Sequence, residues 1–479
     1  MTVQPLDAVH RDKIAQLPEE MFTIIKSVGR ATEPRLGRLH ILGRDTLETP
    51  HYVATTSRGV VPHITQDLFA RATGINGVYV PLEDFIEKAP DKIPPLYQFK
   101  SPDGSSPLRR FIALRERALL VLGARRTPPI IAPAANPNTN TSVSISTSVG
   151  FRPLTAEDYA EAAEKLQPDI VVGLGDIPYG RALGSKRIEK ATDRNIEWLQ
   201  AHVDVRNDWY EDTTGPSTEL FAPLLPVSCA NQHYYIESLL QDRSKDVDGL
   251  AFYNLAALED LPDGLSHLPR LALTEPTTPH EVLQHVSLGL DVLTVPFITA
   301  ATDAGIALSF AFPATAAPKA EAPPVSLGID MWTTDHATSL APLVEGCECY
   351  ACTNHHRAYL QHLLSAKEML AWVLLQIHNH HTLDLFFAGI RKSLEDGSFQ
   401  QNVEGFAKVY ESRLPEKTGQ GPRIRGYQFK SEGPGEPKKN PAPFQMLDDR
   451  SEKLAESTPP AADADAAELE EQGFAEKQS

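Results

Sequence analysis

Short apolar runs alternate with amphipathic stretches along most of the chain, and that rhythm predicts its elements. Ala118–Gly123, Ser142–Thr147, Asp169–Leu174, Phe221–Val227, Gly249–Tyr253, Arg270–Leu273 and Asp291–Val295 read as strands. Glu157–Leu166 and Pro279–Leu288 carry apolar residues at helical spacing. Upstream, Met21–Ile25, Arg38–Leu42 and His51–Thr55 form β-rich runs, the last after a Thr49-Pro50 step. One unit shows the logic. Thr155 caps a helix with Asp158 at its third position, and Tyr159, Ala162, Ala163 and Leu166 make the apolar stripe. Pro168 then stops the helix before the strand Asp-Ile-Val-Val-Gly-Leu. Strand, helix, strand at this spacing is a parallel βαβ unit. About eight such strands over roughly 250 residues suit a (β/α)8 barrel better than a doubly wound sheet. No Gly-x-Gly-x-x-Gly or Walker-type phosphate loop follows any of them.

Composition changes the picture at the C-terminal end. From about Leu414 the chain turns rich in Gly, Pro and Lys, and it ends in an acidic stretch nearly devoid of large apolar residues. Such a segment buries too little surface to offset chain entropy, so 415–479 is expected to be a disordered acidic tail. Residues 1–20 read as a flexible leader, charged throughout and without the apolar core of a secretory signal. No apolar run approaches the roughly 18 residues of a membrane span, and Met369–Ile377 reads as a buried helix.

The net charge of -18 over 479 residues argues against a free-standing nucleic-acid binder, so DNA is not an expected partner. It leaves room for a subunit whose partner supplies the basic surface. Four cysteines are too few for a disulfide framework, which points to a reducing, cytoplasmic setting.

Three of those four cysteines lie in Gly-Cys-Glu-Cys-Tyr-Ala-Cys-Thr-Asn-His-His, residues 346–356. Thiolates this close repel one another unless a cation neutralises them, and tetrahedral zinc does so with four soft or borderline ligands. Cys347, Cys349 and Cys352 supply three. Cys229 lies far away, so the fourth is a histidine among His355, His356, His362, His378, His380 and His381; the first two follow Cys352 too closely to close a relaxed tetrahedron. Ser365-Ala366-Lys367-Glu368 reads as a capping box opening a second helix, and a helical hairpin would bring a histidine back to the thiols. A site with four protein ligands is closed, hence structural.

The cysteine triad, Arg357-Ala358-Tyr359-Leu360, His362-Leu363, Glu368 and His378-Asn379 together resemble the C-terminal zinc signature of the tRNA-guanine transglycosylase family. The resemblance extends over about residues 22–400, through the segments starting at Glu48, Asp248 and Leu268. It implies an irregular (β/α)8 TIM barrel at 21–340. A zinc-binding helical subdomain with closing helices follows at 341–414, with one zinc per chain and His378 as fourth ligand.

The same resemblance implies base exchange on tRNA, in which a carboxylate attacks the ribose C1′ and holds a covalent intermediate. In catalytic members that carboxylate is the second aspartate of Gly-Val-Asp-x-Phe-Asp. Here the run is Gly289-Leu290-Asp291-Val292-Leu293-Thr294, and threonine stands at the nucleophile's position. Two arginines expected in the next segment are replaced by Ile298 and Ala301, and the Asp-Ser-Gly-Gly-Phe-Gln motif is absent. No catalytic residue is therefore expected. These departures, with Gly-Leu-Gly-Asp-Ile-Pro at 173–178, resemble a non-catalytic branch of the family. Its implied partner is a catalytic subunit that exchanges guanine for queuine at the wobble position of tRNAs with GUN anticodons. Peripheral contact with the mitochondrial outer membrane belongs to the same implication. Two other readings stand beside it: an active enzyme with a displaced carboxylate, Asp291 or Asp303, or a zinc-stabilised scaffold with no tRNA role.

Overall fold

Strands that are apolar on both faces need cover on both, and a barrel ringed by helices provides it. The computed structural model describes residues 20–27, 32–86, 94–102, 105–147, 150–180, 183–212, 218–314 and 323–422. All of these except Gly150 fall in one compact unit, residues 1–147 with 151–422. The expected leader, but for Glu20, and the tail beyond Pro422 lie outside the described residues, as does nearly all of the second unit (148–150 with 423–479).

A three-stranded antiparallel sheet comes first, β1 (Phe22–Lys26), β2 (Leu36–Leu39) and β3 (Leu47–Thr49). Next come β4 (His51–Thr55), β5 (Gly77–Pro81) and β6 (Leu119–Gly123), then the antiparallel pair β7 (Ser142–Thr147) and β8 (Gly150–Thr155). The run continues with β9 (Ile170–Val172), β10 (Glu219–Leu224), β11 (Gly249–Phe252), β12 (Arg270–Ala272) and β13 (Val292–Thr294). A closed parallel barrel forms in the order β10-β11-β12-β13-β4-β5-β6-β9. Two sequence expectations change here. Ser142–Thr147 is a strand, but it pairs with β8 outside the barrel, and the barrel position falls to Gly77–Pro81. That run is short and glycine-led, so its periodicity is weak, yet every residue of it is buried.

The barrel interior is packed solid. Val53, Tyr79, Val121, Val172, Phe221, Ala251, Leu271 and Val292 form one cluster with Phe22, Leu39, Ile41 and Leu47, which places the β1–β3 sheet across the barrel's lower end. At Gly249 a Cβ would stand 2.5 Å from the Phe221 ring, so only glycine fits this wall. The expected cap holds: Asp158 N donates to Thr155 Oγ1 at 3.0 Å, and Tyr159, Ala162, Ala163 and Leu166 of helix Ala156–Leu166 are buried. Between β11 and β12 only single 3-10 turns occur, Leu255–Ala257 and Asp263–Leu265, which makes the barrel irregular.

Carboxylates brace the lower rim. Asp169, Asp248 and Asp291 each stand just before a barrel strand and accept a backbone N–H from the neighbouring strand, from Leu120, Leu220 and Arg270 at 2.7, 2.8 and 2.7 Å. Asp169 also accepts Arg109 at 2.6 Å and Arg44 at 2.8 Å. Asp291, fully buried, takes Arg35 Nε at 2.8 Å and a second bond from Arg35 Nη2. Arg35 lies 5.2 Å above the Phe22 ring, so this pair pins the N-terminal sheet to the barrel.

Beyond β13, helix Phe297–Asp303 leads to the antiparallel pair β14 (Ile306–Leu308) and β15 (Gly328–Asp330), then to helices Tyr350–Asn354, Arg357–Ser365, Met369–Asp396 and Phe399–Val409. The expected capping box does not form: Ser365 ends one helix, and Glu368 precedes the next with no side-chain cap. Residues 415–422, assigned to the tail by composition, are instead seated on the fold. Thr418 Oγ1 donates to Asp330 Oδ2 at 2.5 Å, and a Cβ on Gly419 would stand 2.1 Å from the Trp332 ring.

Removing one partner of a buried pair leaves an uncompensated charge. Arg35→Ala is therefore expected to cost about 3–5 kcal/mol of unfolding free energy, read by denaturant titration, with no loss of bound metal in the folded fraction.

Candidate metal centre and barrel mouth

Helix geometry gathers the four expected ligands. Cys349 is the N-cap of helix Tyr350–Asn354, and its sulfur accepts the Cys352 N–H at 3.4 Å. The long helix Met369–Asp396 carries His378, fully buried, into the same spot. His378 Nδ1 stands 3.6, 3.5 and 3.4 Å from the sulfurs of Cys347, Cys349 and Cys352. All four ligand atoms lie within 4.8 Å of one another, the one such group among the described residues. Zn–S bonds of about 2.3 Å and a Zn–N bond of about 2.0–2.1 Å at tetrahedral angles put nitrogen and sulfur about 3.5–3.6 Å apart. The cluster matches that spacing and could hold a metal ion.

The tautomer is set from outside the cluster. His378 Nε2 donates to the Leu308 carbonyl at 2.9 Å, which leaves the Nδ1 lone pair facing the thiols. Asn379 completes the grip on β14. Its Oδ1 accepts Leu308 N–H at 2.8 Å, and its Nδ2 donates to Ile306 O at 3.0 Å and Thr302 Oγ1 at 2.9 Å. Hydrogen bonds among the thiols push Cys347 far below its ordinary value and Cys349 far above its own, so one thiolate forms at the expense of another until a cation neutralises the group.

The other histidines have separate work. His356 caps helix Arg357–Ser365 through the Tyr359 N–H, and His355 stacks on Tyr359 at 5.1 Å. His380 is buried 3.2 Å from Tyr52 Oη, and burial lowers its pKa to about 3. His362 lies in the last turn of its helix, and His381 is half-buried with Cys347 as a neighbour.

At the upper end of the barrel, where (β/α)8 folds place their chemistry, β13 ends on a threonine. Thr294 closes β13, is fully buried, and its Oγ1 donates to Ala272 O at 3.2 Å and Thr274 O at 3.3 Å. Asp291 belongs to the lower rim, bound by Arg35. Asp303 sits at the end of helix Phe297–Asp303 and pairs with His63 at 2.7 Å. Ile298 and Ala301 are each 2% exposed, turned into the core.

Sequence reasoning missed the residues that fill the mouth. Tyr79 Oη donates to Arg125 O at 2.6 Å, the Arg125 guanidinium lies 5.5 Å over the Tyr179 ring, and Tyr179 meets Tyr253 edge-on at 6.4 Å. They leave a cavity of about 20 Å³, room for little more than one water. The signal was positional, because Ala124-Arg125-Arg126 follows the C-terminal end of β6 directly.

Residues 30–412 match the family model described as Queuine tRNA-ribosyltransferase. A relative from Schizosaccharomyces pombe named queuine tRNA-ribosyltransferase accessory subunit 2 is 34% identical over 388 residues, covering 80% of this chain and 83% of the relative. Relatives of the same name from Xenopus tropicalis and Drosophila mojavensis are each 28% identical, covering 78% of this chain in both cases and 96% and 89% of their own lengths.

The donor set predicts one zinc per purified chain by elemental analysis, reduced to a trace in Cys349→Ser and in His378→Ala. Because binding at such a site is folding energy, chelation should raise hydrogen exchange across residues 345–400 before the barrel opens.

Proposed function

The chain belongs to the queuine tRNA-ribosyltransferase family, and we propose that it is the non-catalytic subunit of a heterodimer exchanging guanine for queuine at the wobble position of tRNAs with GUN anticodons. Thr294 carries the reading. Its position matches the nucleophile's in the family's Gly-Val-Asp-x-Phe-Asp run, and its hydroxyl proton is already given to backbone carbonyls. A threonine hydroxyl with no adjacent base is too weakly ionised near neutral pH to attack a ribose carbon.

Three further observations support it. A guanine or queuine ring has no room in a mouth filled by Tyr79, Arg125, Tyr179 and Tyr253. Asp291 and Asp303, the carboxylates weighed as displaced nucleophiles, are engaged by Arg35 and His63. The relatives matched across most of their length are named as accessory subunits.

In this reading the partner supplies the attacking carboxylate and the base pocket, and this chain supplies surface. Zinc held by Cys347, Cys349, Cys352 and His378 fixes the helical subdomain, and its exposed Tyr350, Met369 and Leu370, with Leu340 just before it, are the apolar part of the partner face. A cytoplasmic complex in peripheral contact with the mitochondrial outer membrane is part of this proposal, with family resemblance alone behind it. No helix among the described residues is long and apolar enough to cross a membrane.

Two outcomes follow. The purified, zinc-loaded chain should incorporate no labelled base into tRNA, should raise the activity of a catalytic family member mixed with it, and should stay inactive alone as Thr294→Asp. Turnover by the single chain that is abolished by Asp291→Asn or Asp303→Asn would refute the reading. Met369→Asp combined with Leu340→Asp should weaken association with the catalytic member about tenfold or more, measured by interferometry, with zinc content unchanged.

A further inference from the structure

At the lower end of the barrel, opposite the mouth, a cavity of about 430 Å³ opens between the turn joining β2 to β3 and the strand starts. Leu42 and Arg44 of that turn form one side, and Glu116, Pro168, Asp169 and Glu219 the other. The volume is that of a small-molecule site. Much of the polar lining is already committed. Arg44 gives Nε to Asp169 and Nη1 to the Glu116 carbonyl, each at 2.8 Å, and Arg109 holds Asp169 from behind. Ser106 Oγ donates to Leu166 O and accepts the Arg109 N–H.

Two carboxylates remain. Glu116 stands at the rim, 3.7 Å from Arg44, with its side chain 58% exposed. Glu219 lies deeper and is hydrogen-bonded to Asp248, whose Oδ2 is 3.5 Å from Arg206 of helix Ser185–Asp212. Arg206 also faces the buried Glu164. Adjacent carboxyl groups that share one guanidinium cannot both ionise without a further cation. Burial and Asp248 accordingly raise the Glu219 pKa to about 7. A proton there stands in for a missing positive charge.

The lining also says which kind of cation fits. Among the described residues only the cysteine and histidine cluster gathers three ligands closely enough for a metal ion, so no such cage exists here. The exposed Leu42 and Pro168 offer apolar surface to a carbon chain instead. Glu116 precedes β6 and Glu219 opens β10, with β9 between those strands. Strands two places apart stand roughly 10 Å from each other, an interval that a short molecule with an ammonium at each end can bridge.

We propose that this cavity binds a short aliphatic diamine, one ammonium on Glu219, the other on Glu116, and the carbon chain along Leu42 and Pro168. The site lies away from the mouth and stands whether or not the chain is a subunit.

The test is a calorimetric titration of the full, zinc-loaded chain with putrescine at fixed low salt. Saturable binding is expected, with n-butylamine weaker by about tenfold or more, since it lacks the second ammonium. Glu219→Gln should weaken putrescine binding about tenfold or more, and Glu116→Gln, at the exposed rim, should erase the preference for the diamine. Because an ammonium replaces the Glu219 proton, affinity should rise between about pH 6 and about pH 8 in the unaltered chain and stay flat in Glu219→Gln. Magnesium chloride at the same concentration should not compete. No saturable binding, equal affinity in Glu219→Gln, a diamine preference kept by Glu116→Gln, affinity independent of pH in the unaltered chain, or equal competition by magnesium would each overturn the site.

Discussion

The His378 imidazole is the point on which the structure turns. One nitrogen faces three cysteine sulfurs and the other donates to the Leu308 carbonyl of β14, so a single ring joins the metal centre to the strand that follows the barrel. Three thiolates in one small space are unfavourable without a cation, and the loop 346–356 has little apolar surface to hold it otherwise. The same helix reaches further. Asp384 accepts Tyr52 Oη of β4 at 2.8 Å, Arg391 donates to Pro50 O at 2.9 Å, and the helix end accepts Lys26 from β1. Metal ligation at His378 is thereby coupled, through a 28-residue helix, to the first barrel strand and the sheet beneath it.

The barrel keeps its structural acids, and the two acids weighed as displaced nucleophiles, Asp291 and Asp303, are held by Arg35 and His63. Asp169, Asp248 and Asp291 stand at strand starts, where each satisfies a neighbouring backbone N–H and binds arginine. At the strand ends, a threonine hydroxyl and a plug of tyrosines and one arginine occupy the catalytic end of the fold. Geometry decides which acid can react: Asp291 is three residues before Thr294, yet at the opposite end of the same strand.

Much of this was legible from the chain. The Thr155 cap, the buried stripe behind it, and most barrel strands follow from local periodicity, because each records a local interaction. The metal site was legible because thiolate repulsion makes the spacing of Cys347, Cys349 and Cys352 meaningful, although choosing His378 over five other histidines took family likeness. What stayed hidden depends on tertiary context. The place of Gly77–Pro81 in the barrel in preference to Ser142–Thr147 is settled by which neighbours close the ring. Lys367 takes a left-handed turn, φ 57°, where the sequence suggested a cap. The Arg125–Tyr179 plug joins residues far apart in sequence, and residues 415–422 pack on Trp332 despite a tail-like composition.

The central claim is that chemistry on tRNA belongs to the partner and not to this barrel. It is tested most directly by locating the ribosyl-enzyme bond. The assembled complex, incubated with labelled tRNA and separated under denaturing conditions that preserve the ester, should carry label on the catalytic partner and none on this chain. Label on this chain, lost when Asp291 or Asp303 is replaced by asparagine, would contradict the account.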